Sequence, residues 1–338
     1  MEECASVVLV GDGSAGATTG TRLAVNLATV GTMDLEPVWG SNERTLVVTV
    51  GESPLPVLLA CLVLRPSHIL AVVSSQSERR WDLVEGVLMD LLSAATGTLP
   101  KCSTVIVDAH DTCCSDVIAA TLLGGPGRVH LAAVGGTNTM VAAAFGACLR
   151  VVGEETFEAW TLNAMTGCLQ PTFNERWKRS VEPETLPPLS IADLVRLHSP
   201  GFELRPGELP MDLQAACRHA FDSLNDVEVR SGVFSPIGAQ QAPAGDGILV
   251  ARRGHRSCVI SWCRTVEPLS KVTNHVAKMV VLSRRIGGDY CIPITVVGEG
   301  RRKNVRWATP WAADNPVLTS EELEREIVRA LLPPGGPT

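Results

Sequence analysis

An α/β protein is predicted, with an N-terminal doubly wound, parallel, Rossmann-like sheet followed by a second α/β domain. Three observations carry this. From residue 45 onward, short continuous apolar runs alternate with helical periods, as parallel strands buried on both faces do. The segments that follow those runs are small, polar and often glycine-bearing, as loops at a ligand-binding sheet edge are. The stretch EPETLPPL at 182–189 is proline-rich, and the order of elements changes beyond it. Four segments result: an extension or extra βα unit at 1–44, a ligand-binding domain at 45–181, a linker at 182–189 and a second domain at 190–338.

Residues 1–44 hold a loud motif. A short apolar run at 7–10 leads into GDGSAG, in which Gly11, Gly13 and Gly16 fit G-x-G-x-x-G. Asp34 and Glu36 follow about 20 residues on, as a dinucleotide (NAD or flavin) site would have them. The competing reading is an extra βα unit on the sheet edge, since Thr18, Thr19 and Gly20 open a helix poorly. No Lys follows the glycines, which excludes a P-loop.

Strands are expected at 45–50, 69–73, 103–107 and 129–134, with helices at 55–64, 80–95, 115–123 and 139–149. In TLVVTVGESPLP, Gly51 lets a ligand approach the backbone, and Pro54 suits a first helical turn because its missing N–H would be unpaired there. Three loops would share one sheet edge: Gly51, Glu52, Ser53 and Pro54; Ser74, Ser75, Gln76 and Ser77; and Gly135, Gly136, Thr137, Asn138, Thr139 and Met140. Backbone N–H groups, hydroxyls and amides at helix N-termini suit a nucleotide-like ligand with phosphates and hydroxyls. The cluster Asp108-Ala109-His110-Asp111 reads as a loop and helix cap, because no metal-ligand spacing completes it with Cys113.

Net charge is −7, carried by residues 1–180, which hold 11 Lys/Arg against 18 Asp/Glu, whereas the remainder holds 18 of each. An anionic ligand in the acidic half must therefore be held mainly by N–H groups and helix dipoles. The basic runs Arg252-Arg253, Arg284-Arg285 and Arg301-Arg302-Lys303 with Arg306 could face a nucleic-acid backbone, or be only a solvated face. The 11 Cys lack a C-x-x-C pattern and read as buried thiols, neither a disulfide frame nor a zinc site. With no apolar run long enough to span a bilayer and no signal-peptide pattern, a cytoplasmic, non-membrane protein is expected.

Beyond the linker, Ser190 should cap a helix at 191–198, followed by a loop at 199–210 and a helix at 211–224. A strand at 227–233 precedes two strands at 247–252 and 257–263 around the turn 253–256, then a helix at 270–286 and a strand at 291–297. Thr319 and Glu322 form a capping box for a last helix at 320–332. Helix, hairpin, helix, strand is the order of a PD-(D/E)xK nuclease core. That chemistry needs an acid on one strand, then an acid and a Lys two residues apart on the next, to hold Mg²⁺ or Mn²⁺ and neutralise charge.

VTVGESPLPVLLACLVLRPSHIL, VGGTNTM, and GHRSCVISWCRT with the later RRIGGDY together resemble the CRISPR-associated Rossmann fold (CARF) effectors that carry a C-terminal restriction-endonuclease-like domain. LSIADLVRLH resembles that family's linker region, and the likeness covers roughly 45–300. It implies a homodimer that binds cyclic oligoadenylate, most often cyclic tetra-adenylate, in type III CRISPR antiviral defence, using the three loops named above. The departures are specific. Asn138 stands where the family usually has Lys, so the pocket lacks that cation. In the nuclease half the helical Glu aligns with Gln214, the hairpin Asp falls near Gly247 with Asp246 one residue off, and the run of an acid or Ser, then Cys, then Lys falls on Ser261-Trp262-Cys263, with Arg264 reaching the Lys position only by a one-residue insertion. A one-residue shift on a strand points a side chain to the wrong face, and Arg stays charged where Lys can exchange a proton. Metal-dependent cleavage is therefore expected to be lost, with a nucleic acid or protein as the second domain's partner. An active nuclease with a rearranged site around Asp246, Ser261 and Arg264, slow hydrolysis of the cyclic ligand, and an NAD-dependent enzyme are the alternatives.

Overall fold

The computed structural model describes residues 44–95, 98–111, 113–123, 128–162, 169–173, 189–207, 209, 211–222, 224, 226–238, 247–263, 269–297, 317–318 and 320–332. The Gly11–Gly16 motif, Asp246, Arg264 and most of the linker lie outside them.

The first unit alternates β1 (Arg44–Thr49), α1 (Pro54–Leu64), β2 (His68–Val73), α2 (Glu78–Ala95), β3 (Lys101–Ile106), α3 (Cys114–Leu122), β4 (Arg128–Ala132) and α4 (Asn138–Val152), as expected to within a few residues. Two further strands close it, β5 (Phe157–Leu162) and β6 (Leu169–Phe173). The sheet order is β3-β2-β1-β4-β5-β6, parallel except for the antiparallel edge strand β6. β1 shows why the sheet is covered twice. Leu46 and Val48 enter a core beneath α1 and α2, while Val47 enters another beneath α3 and α4. α1, PLPVLLACLVL, is apolar all round and is buried all round except at Val63.

The second unit begins with α5 (Ile191–His198), capped as expected by Ser190 in a reciprocal capping box with Asp193. Then follow β7 (Phe202–Pro206), α6 (Met211–Asp222), β8 (Glu228–Pro236), β9 (Ile248–Arg253), β10 (Arg256–Cys263), α7 (Leu269–Gly287), a 3-10 turn (Gly288–Tyr290), β11 (Cys291–Val297), β12 (Val317–Leu318) and α8 (Ser320–Leu331). Its sheet runs β12-β11-β10-β9-β8-β7, antiparallel from β7 to β10 and parallel from β10 to β12. β7 corrects the expected loop at 199–210. Phe202 stacks on Phe234 of β8 at 5.1 Å, and that cross-strand pair holds an edge strand despite the flanking Gly and Pro.

α5 belongs to both units. Leu194 and Leu197 enter the core of the first sheet, while Ile191 and Val195 enter that of the second. Arg196 bonds Asp90 of α2 at 2.5 Å, and Glu228 of β8 accepts from the Ile191 N–H at 2.8 Å.

Candidate functional site

The chain winds outward from β1 to β2 and β3, then returns to place β4 on the other side of β1. The carboxyl ends of β1 and β4 therefore flank the switch point of the sheet, where open α/β folds bind ligands. The loops after these two strands are in direct contact. A Cβ on Gly51 would stand 2.3 Å from the Gly136 nitrogen, and one on Gly135 would stand 2.8 Å from the Gly51 nitrogen. Only residues without side chains permit that approach. Thr49 Oγ1 donates to the Gly135 carbonyl at 2.6 Å and locks the pair.

The expected loop residues divide by role. Pro54 occupies the first turn of α1, and Ser53 is its N-cap residue without capping it, its buried Oγ finding no partner. Glu52 is exposed. Ser74 and Ser77 are buried and bonded to each other, with the Ser74 N–H donating to Ser77 Oγ at 2.8 Å, so only Ser75 and Gln76 of that loop reach solvent. Thr137 caps α4 by accepting from the Met140 N–H at 3.2 Å and donates to the Ala109 carbonyl at 2.5 Å. Gly136 takes a φ of +80°, Asn138 is exposed, Thr139 is half-buried, and Met140 is packed in the core. Asp108 and Asp111 close turns by accepting from the His110 and Cys113 N–H groups. Neither caps α3, whose N-cap residue is Cys113, which corrects the expected cap.

Two functional candidates escaped sequence reasoning. Arg79 and Arg80, in the first turn of α2, line a cavity of about 610 Å³ together with Ser53, Pro54 and Gln76. Arg80 Nη1 also donates to the Gly51 carbonyl at 3.3 Å. These guanidiniums bring positive charge to a sheet edge that Asn138 leaves neutral. The signal was the Arg doublet one residue beyond the SSQS loop, after Glu78.

In the second unit, Ser261 and Cys263 are buried on β10, and Gln214 lies on α6. Ser261 Oγ and His275 Nε2 of α7 are hydrogen-bonded at 2.8 Å. Seven of the nine described thiols are buried as expected, whereas Cys102 is half-buried and Cys113 exposed, and burial pushes Cys148, Cys217 and Cys291 up to about 12. Among the described residues no cluster of three or more His, Cys, Asp or Glu could hold a metal ion, and no helix is long and apolar enough to cross a membrane.

No protein-family model matches the chain, and no curated protein matches it in sequence. Solved structures do match in fold. Protein VC1899 from Vibrio cholerae superposes with a TM-score of 0.62 at 9% identity, over 85% of this chain and 99% of that one. Can2 from Sulfobacillus thermosulfidooxidans, solved in complex with cyclic tetra-adenylate, superposes with a TM-score of 0.62 at 10% identity, over 84% and 96%. A type III CRISPR defence DNA nuclease activated by cyclic oligoadenylate superposes with a TM-score of 0.51 at 13% identity, over 86% of this chain and 52% of that one. The chain therefore shares the two-sheet α/β fold of these structures. The match reaches into both sheets, because 84–86% of the chain is covered in each case.

Proposed function

We propose that this chain senses cyclic oligoadenylate, cyclic tetra-adenylate first among the ring sizes, in type III CRISPR defence, and does so as a homodimer. The observation that carries the reading is the backbone contact of Gly51 with Gly135 and Gly136 at the switch point. It leaves a polar ledge flanked by the N-termini of α1 and α4 and by Arg79 and Arg80. Peptide N–H groups and helix dipoles there favour phosphodiesters, and Ser75, Gln76 and Asn138 offer side-chain partners to ribose and base. The cyclic tetra-adenylate bound by Can2 and the cyclic oligoadenylate that activates the CRISPR nuclease support the same ligand class here.

The second domain on this reading keeps a nuclease-like architecture without metal-dependent cleavage. Ser261, at an acid position of that active site, is neutral, buried and already hydrogen-bonded to His275. It cannot supply the anionic oxygen that a divalent metal needs. A nucleic acid or a protein is then the partner of this domain.

Thermal unfolding with cyclic tetra-adenylate and with NAD tests the ligand. Ligand at about 100 times its Kd adds about 2.7 kcal/mol, so cyclic tetra-adenylate should raise Tm by several degrees. Stabilisation by NAD alone would refute the reading and return function to Gly11–Gly16. Incubation with cyclic tetra-adenylate, Mn²⁺ and single-stranded or supercoiled nucleic acid tests the second domain. Efficient cleavage that Asp246→Ala abolishes would show an active, rearranged nuclease.

A further inference from the structure

The cavity beside the ligand loops has a second wall. One side is Ser53, Pro54 and Gln76 with Arg79 and Arg80; the other is His198 at the end of α5, Arg284 of α7 and Asp289 of the 3-10 turn. Its volume of about 610 Å³ falls within the range of small-ligand sites. Three guanidiniums face two carboxylates, Glu52 and Asp289, so the lining carries a net positive charge. Two buried polar atoms in this lining, Ser53 Oγ and His198 Nε2, have no hydrogen-bond partner. A buried polar atom without a partner is desolvated without compensation, a loss that a hydrogen bond from an incoming ligand would recover.

The second wall is held firmly. Gly288, at a φ of +62°, packs so closely under His198 that a Cβ there would stand 2.5 Å from the ring. Ser199 Oγ donates to the Arg285 carbonyl at 2.8 Å and ties the end of α5 to the end of α7. The two arginines of the Arg284-Arg285 run serve different ends. Arg285 lies over the Phe202 ring at 4.0 Å, whereas Arg284 is exposed and lines the cavity.

We propose that this cavity takes a phosphodiester of the bound cyclic oligoadenylate, clamped between Arg79 and Arg80 of the first domain and Arg284 of the second. The inference rests on the sensing function proposed above and goes further, because it makes the second domain part of the ligand site. Ser53 Oγ and His198 Nε2 gain partners from the ligand. His198 serves as a neutral hydrogen-bonding group, since burial holds its pKa down to about 4. The clamp also supplies coupling. α5 is already packed into both cores, and a ligand bridging Arg79 and Arg284 adds an ionic tie across the same junction. The ligand then favours whichever domain arrangement keeps the two walls together.

Calorimetric titration of the full chain with cyclic tetra-adenylate, at low and high salt, tests the clamp, with adenosine monophosphate as a second probe. Arg284→Gln should weaken cyclic tetra-adenylate about tenfold and flatten the salt dependence, because one exposed cation has been removed from the phosphate. Arg79→Gln with Arg80→Gln should weaken it further. Lys278→Gln, an exposed charge on the same helix that does not line the cavity, should leave Kd within about twofold. A Kd for Arg284→Gln equal to that of Lys278→Gln overturns the clamp and leaves the sensing function intact. Absence of cyclic tetra-adenylate binding by the unaltered chain overturns both. Adenosine monophosphate bound tightly, with the same dependence on Arg284, while cyclic tetra-adenylate is not bound, would make the cavity a mononucleotide site and overturn the proposal as stated.

Discussion

Gly51→Ala is the sharpest test of how the ledge is built. The added methyl would meet the Gly136 nitrogen at 2.3 Å, whereas ordinary contact begins near 3.4 Å, so the two loops must part by about 1 Å. The obstacle is backbone on a loop whose Gly135 carbonyl is held by Thr49, so no flexible side chain can turn aside. Strain of this kind costs about 1–3 kcal/mol. Gly146→Ala is the matched control. Gly146 is exposed within α4 and nothing lies within 4 Å of its Cβ position, so the same methyl should stabilise by about 0.5–1 kcal/mol. Urea unfolding followed by tryptophan fluorescence reads the difference, since Trp81 and Trp160 are buried in the first core. Gly51→Ala should also weaken cyclic tetra-adenylate at least tenfold, because it moves the loops that form the ledge. A Gly51→Ala chain as stable as the unaltered one would refute the close loop contact and, with it, the geometry on which the site rests.

Two further outcomes follow, one from a buried histidine and one from a helix cap. His255 is held down to about 4, chiefly by burial and secondarily by Arg256. Its folded pKa lies below the ordinary 6.5, so its contribution to stability is complete above pH 6.5 and is lost as pH falls from there towards 4. The full gap corresponds to roughly 3 kcal/mol, of which about 2 kcal/mol is lost by pH 5, so urea unfolding at pH 7.5 and pH 5 should show a loss of about that size, reduced in His255→Gln. Ser190→Ala removes the hydroxyl that accepts from the Asp193 N–H at 3.1 Å. It should cost about 1 kcal/mol, read as a lower Tm that Ser190→Asp largely restores.

Much of the fold was legible because it is local. A strand buried on both faces is mostly apolar: β2 carries the run ILAVV and β1 the run LVV, although β4, RVHLA, also buries His130. The start of α1 is marked by Pro54, which lacks the N–H that would go unpaired there, and the starts of α4 and α5 by Thr137 and Ser190, whose hydroxyls accept from first-turn N–H groups. Edge strands carry no such signal. β6 reads LQPTF and β7 reads FELRP, each half-solvated and each containing a Pro, and each exists only because a neighbour pairs with it. Edge strand β3, KCSTVI, is also half-exposed, yet its place in the βα alternation made it readable.

By itself, then, the sequence determined the alternating elements and the three small polar loops. Those features depend on residue type and spacing along the chain. Tertiary structure decided which loops touch, since the return of β4 to the side of β1 is a pairing between distant segments. It also decided that α5 would give Leu194 and Leu197 to one core and Ile191 and Val195 to the other. Helical spacing fixes which side chains share a face, but not what that face meets. Arg79, Arg80 and Arg284 line one cavity for the same reason: about 200 residues separate them along the chain, and only the packing of α2, α5 and α7 brings their charges together.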